Sequence, residues 1–257
     1  MLKRIFSILL VAIIAIFCVS CNKESVDNNA DNSVDDSSSL SALKDESVYT
    51  DDAQSQENDL QNITYDAMLI PNFEAICQYP DLPTGCEMTS LTMVLNYYGL
   101  NADKCDISDN YLDKGEVGSV DFRKAFVGDP RDENSFGCYA PVVVNAANRY
   151  LESQGSKLKA TDVTGRELES LYEYINIQVP VIIWGTLDCK EGYYSVTWNV
   201  DGQDLTWITP EHCMVMVGYD QEAVWIADPI YGEVVSYDRE IFESCYNLLF
   251  KQAVVIE

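Results

Sequence analysis

The chain contains a single histidine, His212, and a cysteine, Cys86, that follows a glycine and precedes a helical pattern. A thiol becomes a strong nucleophile once it ionises, and an imidazole is well suited to take its proton near neutral pH. Gly85 permits a tight turn, and a helix beginning at Cys86 would favour the thiolate through its positive N-terminal end. These residues predict nucleophilic thiol chemistry with His212 as general base. The alternatives are an inert helix-capping cysteine and a histidine that only supports the fold.

Two more side chains complete the candidate site. Asp228 ends an apolar run and is placed to accept the second ring N–H of His212. Asp220 competes for this role, but its surroundings predict a hairpin turn that points away; for Asp228 the alternative is a turn-forming residue before proline. Gln78 lies on the approach to Cys86, and its side-chain amide would form an oxyanion hole with the Cys86 backbone N–H. A surface glutamine is the alternative.

The charge balance excludes one class of partner. The chain has 42 acidic and 16 basic residues, a net charge of −26, which argues against nucleic-acid binding and is typical of a solubility device. The single histidine, and the absence of a C-x-x-C pair after residue 67, also argue against a structural zinc site. We expect no metal and no cofactor.

The other cysteines of the C-terminal part leave their pairing open. Six residues could form three disulfides in fifteen ways: Cys77, Cys105, Cys138, Cys189, Cys213 and Cys245. Cys213 lies within an apolar run and could instead be a buried free thiol. In a reducing environment there would be no disulfide at all.

The N-terminus predicts export. Lys3 and Arg4 precede an apolar stretch, 5–17, that is too short to span a bilayer but fits a secretory signal. The segment 18–21 ends in two small residues and Cys21, and it resembles a bacterial lipoprotein signal, which implies a lipid on Cys21. An ordinary cleaved signal peptide and an uncleaved anchor are the alternatives. We expect the body of the protein to be lipid-anchored to the cell membrane and to face outside the cytoplasm.

The chain divides into three parts: a signal peptide (1–21), a tether (22–66) and one domain (67–257). The tether carries 12 acidic and 2 basic residues and few apolar ones, so it is predicted to be disordered. The domain is long enough to bury a sizeable core. Helical patterns come first in it and strand patterns later, which favours an α+β fold.

The elements are predicted from hydrophobic periodicity and turn residues. Helices are expected at 86–98, 103–112, 141–151, 166–175 and 238–246, with Val144, Ala147 and Leu151 facing inward in the third. Strands are expected at 159–163, 181–184, 193–200, 204–208, 213–217, 223–227, 232–236 and 252–256.

Several segments together resemble a papain-like cysteine peptidase, most closely the branch of the bacteriocin-processing, double-glycine leader peptidases. The order Gln, Cys, His, Asp also matches that branch, which uses Asp where papain has Asn. The resemblance implies an N-terminal helical part packed on a C-terminal antiparallel sheet, with a Cys-His-Asp site. The segments are Pro83-Thr84-Gly85-Cys86-Glu87, 95–99, 125–130, 137–141, 211–220 and 226–229.

The resemblance implies a thiol hydrolase that cleaves peptide bonds through an acyl-enzyme on Cys86, and the N-terminal signal predicts that it is exported and membrane-tethered. Its partners would be a peptide or protein substrate and the membrane, and we expect a monomer. An amidase or acyltransferase on the same fold and a non-catalytic binding lipoprotein are the alternatives. A bacteriocin leader peptidase in the strict sense is disfavoured, because those domains are normally fused to a transporter and this sequence has no transporter segments.

Overall fold

The computed structural model describes residues 66–257. The predicted signal peptide, the lipidated Cys21 and the tether up to residue 65 lie outside the described residues. No helix within 66–257 is long and apolar enough to cross a bilayer.

Helices and strands follow the predicted order. The helices are α1 (Cys86–Tyr97), α2 (Lys104–Asn110), α3 (Ala140–Ser153), α4 (Tyr172–Asn176) and α5 (Arg239–Leu248). The strands are β1 (Met68–Leu69), β2 (Lys114–Gly115), β3 (Phe126–Val127), β4 (Ala160–Asp162), β5 (Val181–Thr186), β6 (Tyr193–Val200), β7 (Gln203–Thr209), β8 (Glu211–Tyr219), β9 (Ala223–Asp228), β10 (Glu233–Asp238) and β11 (Ala253–Ile256).

The larger sheet has seven strands, and every neighbouring pair in it is antiparallel. The strand order is β10-β9-β8-β5-β11-β4, and β1 also pairs with β8. β6 and β7 form a separate antiparallel hairpin, and β2 pairs with β3 in a short parallel sheet. The α+β fold with an antiparallel C-terminal sheet is confirmed.

Helix α1 packs deep in the protein. Its residues from Cys86 to Leu95 are all buried. A helix that is buried all round is in contact with structure on several sides. One such contact is polar, because the Ser90 hydroxyl donates to the Cys213 carbonyl of β8 at 3.1 Å. α1 therefore brings its first residue, Cys86, against the central strand of the sheet.

Two local predictions differ from the structure. In α3 the inward face includes Val142, Val143 and Ala146, whereas Val144 is only partly buried, since the helix is rotated relative to the predicted face. The predicted helix at 166–175 consists of a 3₁₀ turn, Leu168–Leu171, followed by the short α4. Strands β1, β2 and β3 were not predicted, because two residues are too few to show a periodic pattern.

Candidate active site

Cys86 is the first residue of α1, and it lies against β8. The backbone N–H of Cys213 donates to the Cys86 Sγ at 3.5 Å. Gly85 has an ordinary φ of −104°. Its role is close approach, because a Cβ at this position would lie 2.6 Å from the Leu82 Cβ. The glycine before the thiol is thus required by packing and not by a left-handed turn.

His212 and Asp228 form a buried pair on neighbouring strands. The His212 Nε2 lies 2.9 Å from the Asp228 Oδ1, and both residues are shielded from solvent. His212 is on β8 directly beside Cys213, whose N–H contacts the thiol. Since Nε2 is held by Asp228, Nδ1 is the ring nitrogen that remains for the thiol proton. The structure therefore brings Cys86, His212 and Asp228 together.

Asp228 has more partners than the sequence indicated. Its Oδ1 also accepts from the Ile230 N–H at 2.8 Å, and its Oδ2 accepts from the Tyr237 hydroxyl at 3.0 Å. Burial acts to raise the pKa of Asp228, but these hydrogen bonds and the one to His212 outweigh it and hold the pKa below its usual value. The competing Asp220 instead accepts from two backbone N–H groups in the β8–β9 turn.

Gln78 is buried and fixed in the approach loop. Its Nε2 donates to the Pro83 carbonyl at 2.7 Å, and its backbone N–H donates to the Pro229 carbonyl at 2.7 Å. An amide nitrogen has two hydrogens, so one remains for a ligand. Lys104, which the sequence did not single out, donates to the Gln78 carbonyl at 3.0 Å and holds the loop from α2.

These residues line a cleft of about 370 Å³. Gln78, Cys86 and His212 all contribute to its surface, so the three are open to the same ligand. Three aromatic residues, Tyr79, Phe136 and Trp207, line the cleft, whereas Trp184 is fully buried. Other lining residues are Pro83, Thr84, Glu133, Asn134, Ser135, Leu187, Thr209, Pro210, Glu211 and Ile230.

Two glutamates that the sequence analysis did not use lie next to the thiol. The Glu87 Oε2 accepts from the Cys86 Sγ at 3.4 Å, and its Oε1 accepts from the Cys138 N–H at 2.6 Å. The Sγ of Cys86 and carboxylate oxygens of Glu87 and Glu211 all lie within 4.8 Å of one another. The sequence did contain a signal for these two glutamates, because each is adjacent to a candidate catalytic residue. Glu87 follows Cys86, and Glu211 precedes His212.

The glutamates change the electrostatics of the site. Burial raises the pKa of Glu87 to about 7. Burial, with the charge of Glu87, raises the pKa of Glu211 well above its ordinary value. Burial first, and then the charges of Glu87 and Glu211, also raise the pKa of the Cys86 thiol. The helix N-terminus was expected to favour the thiolate, but in this structure the thiol is held protonated.

The same three donor atoms are the ones within 66–257 that lie close enough to hold a metal ion. One thiolate and two carboxylates suit a thiophilic divalent cation. However, the raised pKa values of the two glutamates keep protons in the cluster at neutral pH, and these protons already neutralise it. The cluster therefore carries less negative charge at neutral pH than three ionised groups would.

The seven cysteines of the described part are all free thiols. Cys213 is fully buried, which agrees with the alternative of a buried thiol within an apolar strand.

Comparison with known proteins identifies the family. The model of the Peptidase_C39 like family matches residues 70–254. The chain belongs to that family. A relative of this C39-like protein, "Uncharacterized protein YvpB" of Bacillus subtilis (strain 168), is 28% identical over 214 residues, which cover 81% of this chain and 82% of the relative. The crystal structure of a protein from Bacillus anthracis described as a C39-like peptidase superposes with a TM-score of 0.68 at 31% identity, over 75% of this chain and 98% of that chain. The predicted family and its papain-like fold are confirmed.

Proposed function

We propose that this C39-like protein is a cysteine peptidase that cleaves peptide bonds through an acyl-enzyme on Cys86. The observation that carries the proposal is the buried His212–Asp228 pair at 2.9 Å, next to a thiol that contacts the following residue of the same strand. A nucleophile beside a base, with the base oriented by a third group, is the arrangement that activated thiols require.

The proposed reaction begins with proton transfer from the Cys86 Sγ to His212 Nδ1. The sulfur then attacks the scissile carbonyl carbon, and the carbonyl oxygen takes up the negative charge. The free N–H of the Gln78 amide and the Cys86 backbone N–H donate to this oxyanion. The C–N bond breaks as His212 returns its proton to the leaving amine, which leaves a thioester on Cys86.

Water completes the cycle. His212 takes a proton from a water molecule as that water attacks the thioester, the C–S bond breaks, and the thiol recovers its proton. Asp228 accepts the Nε2 hydrogen throughout, so that the imidazole keeps one orientation and the imidazolium is stabilised. Because Cys86 is protonated at rest, we propose that the proton moves when the substrate is bound in the cleft.

The test combines turnover with labelling. Hydrolysis of fluorescently labelled casein should be lost in Cys86→Ala and kept in Cys105→Ala, a matched change at a cysteine outside the cleft. A peptide chloromethyl ketone, which binds in the cleft before it alkylates, should modify Cys86 before any other cysteine. If it modifies Cys86 no faster than Cys213, the peptidase proposal is wrong. If added amines capture the acyl group in place of water, the enzyme is instead an acyltransferase.

We also propose that the protein is exported, carries a lipid on Cys21, and acts as a monomer on a peptide or protein substrate outside the cytoplasm. The apolar run 5–17 and the small residues before Cys21 support this. Metabolic labelling with a radioactive fatty acid should mark the wild type but not Cys21→Ala, and the variant should leave the membrane fraction. Equal labelling of the two would contradict the anchor.

A further inference from the structure

Two thiols outside the catalytic cleft are in contact with each other. Cys189 ends the 3₁₀ turn Leu187–Cys189 that follows β5, and Cys245 lies within α5, which packs on both β5 and this turn. The Cys189 S–H donates a hydrogen bond to the Cys245 Sγ. A disulfide requires two cysteines on neighbouring segments with their sulfurs close together, and this pair meets that requirement.

Helix α5 holds Cys245 against the end of β5. Phe242, Cys245 and Tyr246 form the buried side of the helix. A Cβ at Gly185 of β5 would lie 3.7 Å from the Cys245 Cβ, so the helix approaches the strand closely at this glycine. Gly185 is also the register partner of His212 on β8. Packing therefore fixes Cys245 one strand away from the proposed general base.

The turn that carries Cys189 has an unusual backbone. Asp188 and Cys189 have φ values of 56° and 51°, in the left-handed region that residues other than glycine rarely adopt. Two polar contacts hold the turn: the Lys190 Nζ donates to Asp188 at 2.7 Å, and the Thr186 hydroxyl donates to the Lys190 carbonyl at 2.6 Å. A strained backbone persists only where its surroundings fix it, so the contact of Cys189 with α5 is one of the constraints on this turn.

The same turn forms part of the wall of the Cys86 cleft. Leu187 and Pro210 both line the cleft, and the Leu187 N–H donates to the Pro210 carbonyl at 3.0 Å. The Tyr231 hydroxyl donates to Asp188 from the other side of the turn at 2.5 Å. A covalent bond at Cys189 would therefore fasten this wall of the cleft to α5.

An oxidant can reach this pair. Cys189 is partly exposed, although only 7% of Cys245 is exposed. Cys138 and Cys213 are fully buried, so they are closed to an oxidant in the native state. The hydrogen bond from Cys189 lowers the pKa of Cys245 to about 6, so the pair holds one thiol and one thiolate at neutral pH. Thiol–disulfide exchange needs such a thiolate.

We propose that Cys189 and Cys245 form a disulfide by exchange with an external organic disulfide, and that this bond fastens the cleft wall to α5. Cys189, the more exposed sulfur, passes its proton to Cys245 and attacks the oxidant, from which one sulfur leaves as a thiolate. Cys245 gives this proton to the departed thiolate and attacks the Cys189 sulfur, and the second sulfur of the oxidant leaves. The pair loses two electrons, and the oxidant is reduced to two thiols. The proposal does not depend on the activity of Cys86.

The experiment treats the native full chain with oxidised glutathione and maps its peptides by mass spectrometry without reduction. A linked pair of peptides that contain Cys189 and Cys245 is expected, and dithiothreitol should separate them. The oxidised protein should melt roughly 10 °C above the reduced one, because the bond closes a loop of about 55 residues in the unfolded chain. Hydrogen exchange at the amides of Leu187 and Lys190 should slow several-fold on oxidation.

Four variants separate the outcomes. Cys189→Ser and Cys245→Ser should each lose both the linked peptides and the rise in melting temperature. Cys105→Ser, a matched change at another partly exposed cysteine, should keep both. Cys86→Ala should keep them as well, so that this proposal and the peptidase proposal are tested separately.

Three results would overturn the proposal. The first is that glutathione caps Cys189 and Cys245 separately, or that either is linked to a different cysteine. The second is a rise in melting temperature that persists in Cys189→Ser, because another pair would then cause it. The third is a Cys189–Cys245 bond that leaves hydrogen exchange at Leu187 and Lys190 unchanged, because the bond would then not fix the cleft wall.

Discussion

The carboxylates of Glu87 and Glu211 lie within 4.8 Å of each other and of the Cys86 thiol. Glu87 is fully buried, and Glu211 has one carboxylate oxygen that neither solvent nor a partner within 66–257 reaches. Three groups that are negative when ionised thus share one enclosed volume, where Coulomb repulsion is poorly screened. The cluster must hold protons, and the ionisation of Cys86 depends on where those protons are.

The first prediction concerns the reactivity of the thiol. Glu87→Gln should lower the pKa of Cys86, because the charge of Glu87 is the largest contribution to the raised pKa after burial. The pKa of Glu87 is about 7, so the wild-type carboxylate is charged above that pH and neutral below it. We expect alkylation of Cys86 by iodoacetamide to be about tenfold faster in Glu87→Gln at pH 8, the effect of one pKa unit, and unchanged at pH 6.

Glu133→Gln is the matched control for this experiment. Glu133 lines the same cleft but is exposed to solvent, so removal of its charge should change the alkylation rate little. An equal acceleration in both variants would mean that the overall charge of the cleft, and not the buried carboxylate, sets the reactivity of Cys86.

The second prediction concerns stability against pH. Folding raises the pKa of Glu87 from 4.5 to about 7, so between these values the native state binds more protons than the unfolded state. The free energy of unfolding therefore falls as pH rises through this window, by an amount on the order of 3 kcal/mol for a shift of this size. Glu87→Gln should lose this dependence and gain stability relative to the wild type from pH 4.5 to 7. Urea unfolding across pH 4 to 8 measures the difference, and a constant offset between the two curves would contradict it.

The third prediction concerns the aspartate. In Asp228→Asn the amide oxygen can still accept from His212 Nε2, but the negative charge beside the imidazolium is lost. We expect kcat/KM to fall by roughly ten- to a hundredfold, the loss of a charged hydrogen-bond partner. Asp228→Ala removes the acceptor as well and should cost more. Asp220→Asn, a change of the same type in the β8–β9 turn, should retain activity, and an equal loss there would place the orienting role on Asp220.

The candidate residues could be predicted from sequence because their signals are local. A glycine before Cys86, a helical pattern after it, one histidine at a strand and an aspartate at the end of the next strand are all visible in short segments. The His212–Asp228 contact joins neighbouring antiparallel strands, so the strand order nearly determines it. The resemblance to the family supplied the rest.

The electrostatic state of the site could not be predicted in the same way. Glu87 and Glu211 are far apart in sequence, and only packing of α1 against β8 brings them together. A helix N-terminus was expected to favour the thiolate, but its effect is smaller than the burial and the negative charges that surround Cys86. The Tyr237 hydroxyl on Asp228 comes from β10, and a tyrosine in a strand gives no sign of its partner.

The last prediction tests that tyrosine as a positioning residue. Tyr237→Phe removes the hydroxyl that donates to the Asp228 Oδ2 at 3.0 Å and leaves this buried oxygen without its donor. We expect kcat to fall several-fold with little change in KM, because the loss acts on the orientation of His212 and not on substrate contacts. The pKa of Asp228, which folding lowers, should rise towards its ordinary value. A carboxyl group whose pKa is lowered by folding stabilises the native state at pH values above the pKa it has in the unfolded chain. This stabilisation is lost as the pH falls. The variant should therefore be less stable by about 1 kcal/mol at pH 7 and equal to the wild type once Asp228 is protonated in both.

Tyr231→Phe is the matched control, since its hydroxyl donates to Asp188 at 2.5 Å instead. A destabilisation of Tyr237→Phe that persists at low pH, with unchanged kcat, would show that Tyr237 only supports the fold.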